Sequence, residues 1–229
     1  MALYAIGDLH LSLGAADKPM DVFGGRWIGY TEKLRENLSC ICPEDTTVLL
    51  GDLSWALGLE DAREDLAFIA SIPGRKLLLK GNHDYWWATA AAFRKLCQRE
   101  GFSGMELLHN ACWFYEDIAL CGTRGWFYEE SRASAHDEKI FRRELGRLEA
   151  SLKLAQGREI YCFLHYPPVY HGYECPEILE LLSRYGVTHC FYGHLHGPST
   201  KLAFEGVRDG IAYRLLSADA VDFAPQRLL

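Results

Sequence analysis

No C-x-x-C pair occurs in the chain, although it carries eight cysteines. The nearest two, Cys40 and Cys42, are separated by Ile41 alone, so metal-clip and thioredoxin-like spacings are missing. Cys112, Cys121, Cys162 and Cys190 sit inside apolar, strand-like runs, where a thiol behaves as a small hydrophobe. Reduced, structural cysteines in a reducing compartment are therefore expected. Long apolar runs are absent too, none approaching the roughly 18 residues of a bilayer span, so no membrane partner is expected. The chain reads as strand from Leu3 and reaches a candidate functional residue at Asp8. A leader of about 15–30 residues has no room before it, and a cytoplasmic location is expected. Basic excess is also lacking: 24 Lys and Arg face 31 Asp and Glu, a net charge of −7. That balance argues against binding duplex nucleic acid, which calls for a basic face. It leaves small anionic substrates open, because bound metal ions can reverse the local sign. With no repeat, low-complexity tract or Pro/Gly/Ser-rich linker, residues 1–229 read as one domain.

What the sequence does have is alternation. Hydrophobic residues make up 49% of the chain, enough for one layered core. Strand-like runs are expected at Leu3–Gly7, Thr47–Gly51, Lys76–Lys80, Cys112–Tyr115, Ile118–Cys121, Glu159–Leu164, Thr188–Tyr192 and Ile211–Ser217. Helices are expected near Thr31–Cys42, Glu60–Ser71, Trp87–Arg99, Ala135–Ala155 and Pro176–Tyr185. In the fourth, Phe141, Leu145, Leu148, Leu152 and Ala155 form one apolar stripe, and Ser134 with Asp137 resembles a capping box. Such alternation implies an α/β fold with buried sheets, mixed rather than all parallel.

Five polar segments begin where apolar runs stop, and they hold five of the nine histidines. They are Gly7-Asp8-Leu9-His10, Gly51-Asp52-Leu53-Ser54, Gly81-Asn82-His83-Asp84, Leu164-His165-Tyr166-Pro167 and Gly193-His194-Leu195-His196-Gly197. Functional groups of open α/β sheets gather beyond the carboxyl ends of strands. Carboxylate, imidazole and amide without thiolate suit hard-to-borderline cations. An Asp-x-His or His-x-His pair at a strand exit can aim both side chains one way. Taken singly, each segment also fits ordinary turn chemistry.

The ordered set closely resembles the calcineurin-like metallophosphoesterase superfamily, with its pattern D-x-H, G-D-x-x, G-N-H-[DE], H and G-H-x-H. The match spans Asp8 to His196 with every motif present. The resemblance implies a four-layer α/β sandwich with two facing mixed β-sheets and a metal site at the strand carboxyl ends. It implies two divalent or trivalent transition-metal ions, drawn from Mn, Fe, Zn, Ni or Co, with Mn or Fe favoured. Asp8, His10 and His196 would hold one ion, Asn82, His165 and His194 the other, and Asp52 would bridge them. His83 would face the substrate and Asp84 would orient His83. The implied activity is hydrolysis of a small phosphate ester by metal-activated water. Two ions about 3.5–4 Å apart can clamp attacking and leaving oxygens. Their charge of about +4, against about −3 from Asp8, Asp52 and a bridging hydroxide, leaves about +1 to attract phosphate.

Departures from the superfamily's branches narrow the expectation. Its protein phosphatases carry G-D-x-x-D-R-G, whereas Gly51-Asp52-Leu53-Ser54-Trp55-Ala56-Leu57 lacks that arginine. Purple acid phosphatases place a tyrosine ligand where Trp55 stands, and the repair nucleases carry DNA-binding regions for which there is no spare length. The compact bacterial type remains. Arg124, after a strand run and between glycines, can supply the missing guanidinium or pair with a carboxylate. Phe23, Trp27, Trp55, Trp86 and Trp126 crowd the motif loops as a possible wall for an aromatic leaving group, while Tyr85, Trp86 and Trp87 also fit core packing. The loop Ser12–Gly29 can serve as a wall or lid, and His171 lies near enough in sequence to His165 to line the site. The rival reading is a scaffold of this fold that has lost catalysis and binds proteins. The oligomeric state is not legible.

Overall fold

A computed structural model describes residues 1–14, 20–126 and 135–229. The amino-terminal part forms β1 (Leu3–Ile6), α1 (Tyr30–Leu38), β2 (Thr46–Leu49), α2 (Arg63–Ser71), β3 (Arg75–Leu78), α3 (Ala90–Glu100) and β4 (Met105–Leu107). Next come β5 (Cys112–Tyr115), β6 (Ile118–Thr123), α4 (Ala135–Lys153), β7 (Glu159–Leu164), β8 (Val169–Tyr170) and β9 (Tyr173–Glu174). The chain finishes with α5 (Pro176–Arg184), β10 (Val187–Tyr192), β11 (Gly206–Arg208), β12 (Ile211–Leu215) and β13 (Gln226–Arg227).

Two large sheets result. The first has the order β13-β1-β2-β3-β4, parallel from β1 to β4 with β13 antiparallel at its edge. The second has the order β11-β12-β10-β7-β6-β5, a parallel centre with antiparallel edges at β11 and β5. Both are mixed, as the sequence suggests. The strand centres are buried on both faces, which is why they read as unbroken apolar runs rather than alternating ones.

Three apolar slabs separate four layers. Leu3, Val48, Leu77, Leu120, Phe163 and Phe191 fill the space between the sheets. Ile6, Leu49 and Leu78 meet Leu34, Leu66, Phe93 and Leu96 of α1–α3 on the outer side of the first sheet. Cys121, Cys162 and Cys190 meet Phe141, Leu148, Leu152, Ile178 and Leu182 of α4 and α5 on the outer side of the second. The stripe expected on α4 is therefore the buried one; the capping-box residue Ser134 lies outside the described residues. Register lines Cys112 beside Cys121, Cys121 beside Cys162 and Cys162 beside Cys190 in one row across four strands. The thiols are free, and apart from half-buried Cys112 this row is buried. Among the described residues no helix is long and apolar enough to cross a membrane.

Boundaries differ where side chains outvote pattern. The third helix starts at Ala90 rather than Trp87, because the Thr89 hydroxyl caps it by accepting the Ala92 N–H at 3.2 Å. β4, β8, β9, β11 and β13 have two or three residues each, too few to show a period. The two sheets are joined where it matters for function. Gly7 bridges to Ser217, its N–H reaching the Leu216 carbonyl at 2.7 Å, so the exits of β1 and β12 meet at one edge.

Candidate metal centre

Every parallel strand hands over to a loop at that edge. Beyond β1, Leu9 packs into the helix-side core while Asp8 and His10, flanking it, enter one polar cluster. Leu195 likewise anchors His194 and His196. Asp8, His10, Asp52 and His194 all adopt positive φ, at 60°, 45°, 50° and 73°. Non-glycine residues there cost about 1–3 kcal/mol each and persist where surrounding bonds over-determine them. Such bonds are present: the Asp8 N–H donates to the Gly51 carbonyl and the His10 N–H to the Asp52 carbonyl, both at 2.8 Å. The His194 N–H donates to the Asp8 carboxylate at 2.9 Å. Glycine is required at 81 and 193, since a Cβ would overlap Asp52 and Asp8 respectively.

The side chains form two adjoining groups, Asp8 with His10 and His196, and Asp52 with His165 and His194. Within each, the donor atoms lie within 4.8 Å of one another. Asp52 touches both groups: its Oδ2 is 3.7 Å from His10 Nε2 and 3.5 Å from His165 Nε2. Its Oδ1 accepts the His83 N–H at 2.7 Å, which fixes the carboxylate's rotation. Asn82 Oδ1 lies 2.7 Å from His165 Nε2, in the second group.

Outer contacts set the tautomers. His165 Nδ1 lies 3.0 Å from the Leu50 carbonyl, and donating there leaves Nε2 as a lone pair facing Asn82. His196 Nδ1 lies 3.1 Å from Asp219 Oδ1, leaving its Nε2 facing His10 Nε2 at 3.1 Å. Ligand histidines are commonly steered in this way. The Nε2 lone pairs of His165 and His196 thus face Asn82 Oδ1 and His10 Nε2, contacts that a cation or a proton between them satisfies. The donor set fits two cations in O/N coordination.

Electrostatics follow from burial. Burial opposes the charge of Asp8, but His196, His165 and His10 outweigh it and hold its pKa below the carboxylate range. Burial and the charge of Asp8 push Asp52 up to about 8. Burial lowers His10, His165 and His194, the last to about 3. His196 goes the other way, to about 10, because Asp8 and Asp219 overcome its burial.

His83 and Asp84 diverge. The His83 ring sits outside both groups, 4.4 Å from the Trp55 ring and 5.8 Å from that of His10. The Asp84 carboxylate holds the second and third motif loops. Its Oδ1 accepts Leu53 N–H and Trp86 Nε1–H, both at 2.8 Å, and its Oδ2 accepts Gly81 N–H at 2.7 Å. The buried carboxylate thus ties the second and third motif loops together through their backbones.

Arg124 stands one ring away from the ligands. Its guanidinium lies 6.0 Å from the Tyr166 ring, which is 4.6 Å from the His194 ring, and its Nη2 is 3.6 Å from Glu144. Trp27 is buried, edge-on to His10 and His196 at 5.8 Å each, and does not face outward. Trp86 is buried as well, and Trp126 packs on Phe141 at 5.7 Å. Of the other aromatics, half-buried Trp55 is stacked on His10 at 5.0 Å, Tyr85 is 60% exposed with its ring 6.3 Å from that of His83, and Phe23 is 60% exposed. The described part of the loop after the first motif is tied to its surroundings: Met20 Sδ receives Trp55 Nε1–H at 3.1 Å, and Arg26 reaches the Asp219 carbonyl at 2.6 Å. His171 instead lines a cavity of about 510 Å³ with Tyr170, Tyr173, Lys201 and Phe204. Sequence reasoning missed Asp219, which also accepts the Gly197 N–H at 2.7 Å. Its signal was the one used elsewhere, a polar residue just beyond an apolar run.

Comparison with known proteins agrees with this geometry. The sequence model for calcineurin-like phosphoesterases matches residues 1–198. No curated protein matches the chain. Among solved structures, the phosphopantetheinyl hydrolase of Mycobacterium tuberculosis aligns at TM-score 0.57 and 14% identity, over 100% of this chain and 95% of that one. A protein of unknown function from Aquifex aeolicus aligns at TM-score 0.51 and 18% identity, over 99% of this chain and 95% of that one. At such identities the likeness establishes the fold.

Proposed function

The chain belongs to the calcineurin-like phosphoesterase family, and on that premise we propose that it hydrolyses a small phosphate ester at a centre of two metal ions. Asp8, His10 and His196 would hold one ion, Asn82, His165 and His194 the other, with Asp52 shared. The observation that carries this reading is the placing of Asp52 Oδ2 between His10 Nε2 at 3.7 Å and His165 Nε2 at 3.5 Å. A carboxylate oxygen between two imidazole lone pairs is what a shared ligand requires. When bound, the ions would supply Lewis acidity and an activated water for in-line displacement.

The chain's own residues do the rest. The His83 imidazole, outside both ligand groups and beside Trp55, is placed to donate to a phosphoryl oxygen or the leaving group. Asp84 sets where His83 begins by fixing Gly81 and Leu53. The Leu50 carbonyl and Asp219 keep His165 and His196 turned inward. Trp55 and Tyr85 offer apolar faces to the organic part of the ester.

Elemental analysis, chelation, and a panel with added manganese test the reading. The panel holds aryl phosphates, nucleotides, cyclic nucleotides, phosphopeptides and a phosphopantetheinyl ester, the last because the Mycobacterium tuberculosis protein of this fold bears that name. About two ions per chain and turnover lost with chelation are expected. Turnover that survives complete removal of metal would refute the proposal, and full loading without turnover of any ester would favour the non-catalytic scaffold.

A further inference from the structure

Beside the candidate centre lies a cluster of cations that the hydrolytic reading does not use. Lys80 comes from the loop after β3, Arg124 from the loop after β6, and Arg147 from α4. Arg124 Nη2 approaches Glu144 Oε1 at 3.6 Å, and Arg147 Nη1 donates to that same oxygen. The other Glu144 oxygen accepts the Thr123 hydroxyl at 3.1 Å, so this buried carboxylate is fully committed. Half-buried Lys80 feels the charges of both guanidinium groups, and those of Asp84 and Glu144. Among the described residues these three cations face two carboxylates, Glu144 and Asp84, which leaves about +1 in a chain of net charge −7.

A structural ion pair would need one cation, not three. Arg147 and Glu144, three residues apart on α4, suffice for that. Adding Arg124 and Lys80 raises self-repulsion, and the Arg124 Nε is buried without a hydrogen-bond partner. An anion relieves both. The place is also suited to substrate: Lys80 directly precedes Gly81-Asn82, and the Arg124 carbonyl accepts the His165 and Tyr166 N–H groups at 3.1 and 2.9 Å. The Tyr166 ring neighbours both the Arg124 guanidinium, at 6.0 Å, and the His194 ring, at 4.6 Å.

We propose that Lys80, Arg124 and Arg147 form an anion subsite that takes a second phosphate of the substrate, one aromatic ring away from the scissile ester. The favoured substrate class is then a bisphosphorylated small molecule rather than a simple monoester. This rests on the phosphoesterase reading for its substrate role, and the subsite itself can be tested apart from turnover.

Two arms separate the two. In the first, chelator-treated protein is titrated calorimetrically with inorganic pyrophosphate. Saturable binding is expected, weakened about tenfold in K80Q and in R147Q, since each loses one charge-assisted contact. R147K should restore part of it, and R142Q, a 77% exposed side chain paired with Glu138, serves as the remote control. No saturable binding, or wild-type affinity retained in both K80Q and R147Q, overturns the subsite. In the second arm, metal-loaded protein is given adenosine 3′,5′-bisphosphate and AMP. The bisphosphate should win in kcat/KM by about tenfold, with the ratio collapsing in R147Q. A wild-type ratio near one overturns the substrate role and leaves a free anion as occupant. If neither ester turns over while pyrophosphate binding behaves as expected, the hydrolase reading fails and the subsite stands.

Discussion

Loading the centre should expel protons, and the number can be worked from the geometry. In the metal-free protein Asp52 is raised to about 8 and His196 to about 10, so both carry a proton at neutral pH. The 3.1 Å approach of His10 Nε2 to His196 Nε2 is itself a contact that needs a proton. His10, His165 and His194 are lowered by burial and have none to give. Metal ligands bind deprotonated, so filling both positions near pH 7 should release about two protons. Four imidazoles of ordinary pKa would together release about one at pH 7, and ordinary carboxylates almost none.

The overall binding constant should therefore rise about 100-fold between pH 6.5 and 7.5, about 2.7 kcal/mol at about 1.4 kcal/mol per proton per pH unit. Calorimetric titration with Mn²⁺ in buffers of different ionisation heat counts the protons. Asp52→Asn should lower the count by one, which separates the share of Asp52 from any proton lost by bound water. Stability carries the same sign. A raised pKa favours the folded state while the group is protonated, so this contribution is lost as pH climbs through about 8 for Asp52 and about 10 for His196. Metal-free protein should thus lose thermal stability on the alkaline side more steeply than loaded protein. A proton count near zero at pH 7, unchanged in Asp52→Asn, would refute the electrostatic account.

Asp52→Asn should lose metal more severely than Asp8→Asn, as measured by elemental analysis, because Asp52 reaches both ligand groups; full occupancy in Asp52→Asn would end the bridging role. His83→Ala should keep its ions and lose about 10²–10³ in turnover, since its ring lies outside both groups; parallel loss of metal would make His83 a ligand or a prop. Asp219→Ala should weaken metal binding about 10–100-fold by freeing the His196 ring, and equal affinity would show that the Asp219 contact steers nothing. Trp27→Ala should cost about 3–5 kcal/mol in urea unfolding, because Trp27 is buried, and an aryl preference should respond instead to Tyr85→Ala; a stable Trp27→Ala that loses the preference would reverse these two placements.

How much of this was legible depends on what each residue is attached to. Asp8, Asp52, His165 and His194 follow strands buried on both faces, so an apolar run ends abruptly and its polar successor stands out. The helices were equally visible through their periodicity, and their ends shifted by a few residues, at Ala90 because Thr89 caps the helix, at Leu38 as well, and at Arg63 without a capping side chain. The short edge strands left no signal, because pairing by a neighbour rather than their own composition makes β4 or β13 a strand. The direction of loop aromatics was hidden for a related reason. Trp27 and Tyr85 both lie outside strands and α-helices, where no period says which way a ring turns.

Partnership between distant segments is the part that sequence grammar does not encode. Asp84 looked like a companion to its neighbour His83, yet its acceptor oxygens answer backbone N–H groups presented by Leu53 and Gly81. Asp219 belongs to no motif, and its role exists only because the exit of β12 is stitched to that of β1 through Gly7 and Ser217. The cations of the proposed subsite converge only when α4 packs against β6, which brings Glu144 beneath Arg124. In each case a motif named the residue that touches the chemistry, while tertiary packing chose the residue that aims it. Subsite and outer contacts are therefore where the selectivity of this centre is to be sought, because they decide how the candidate ligands are aimed and what charge lies beside them.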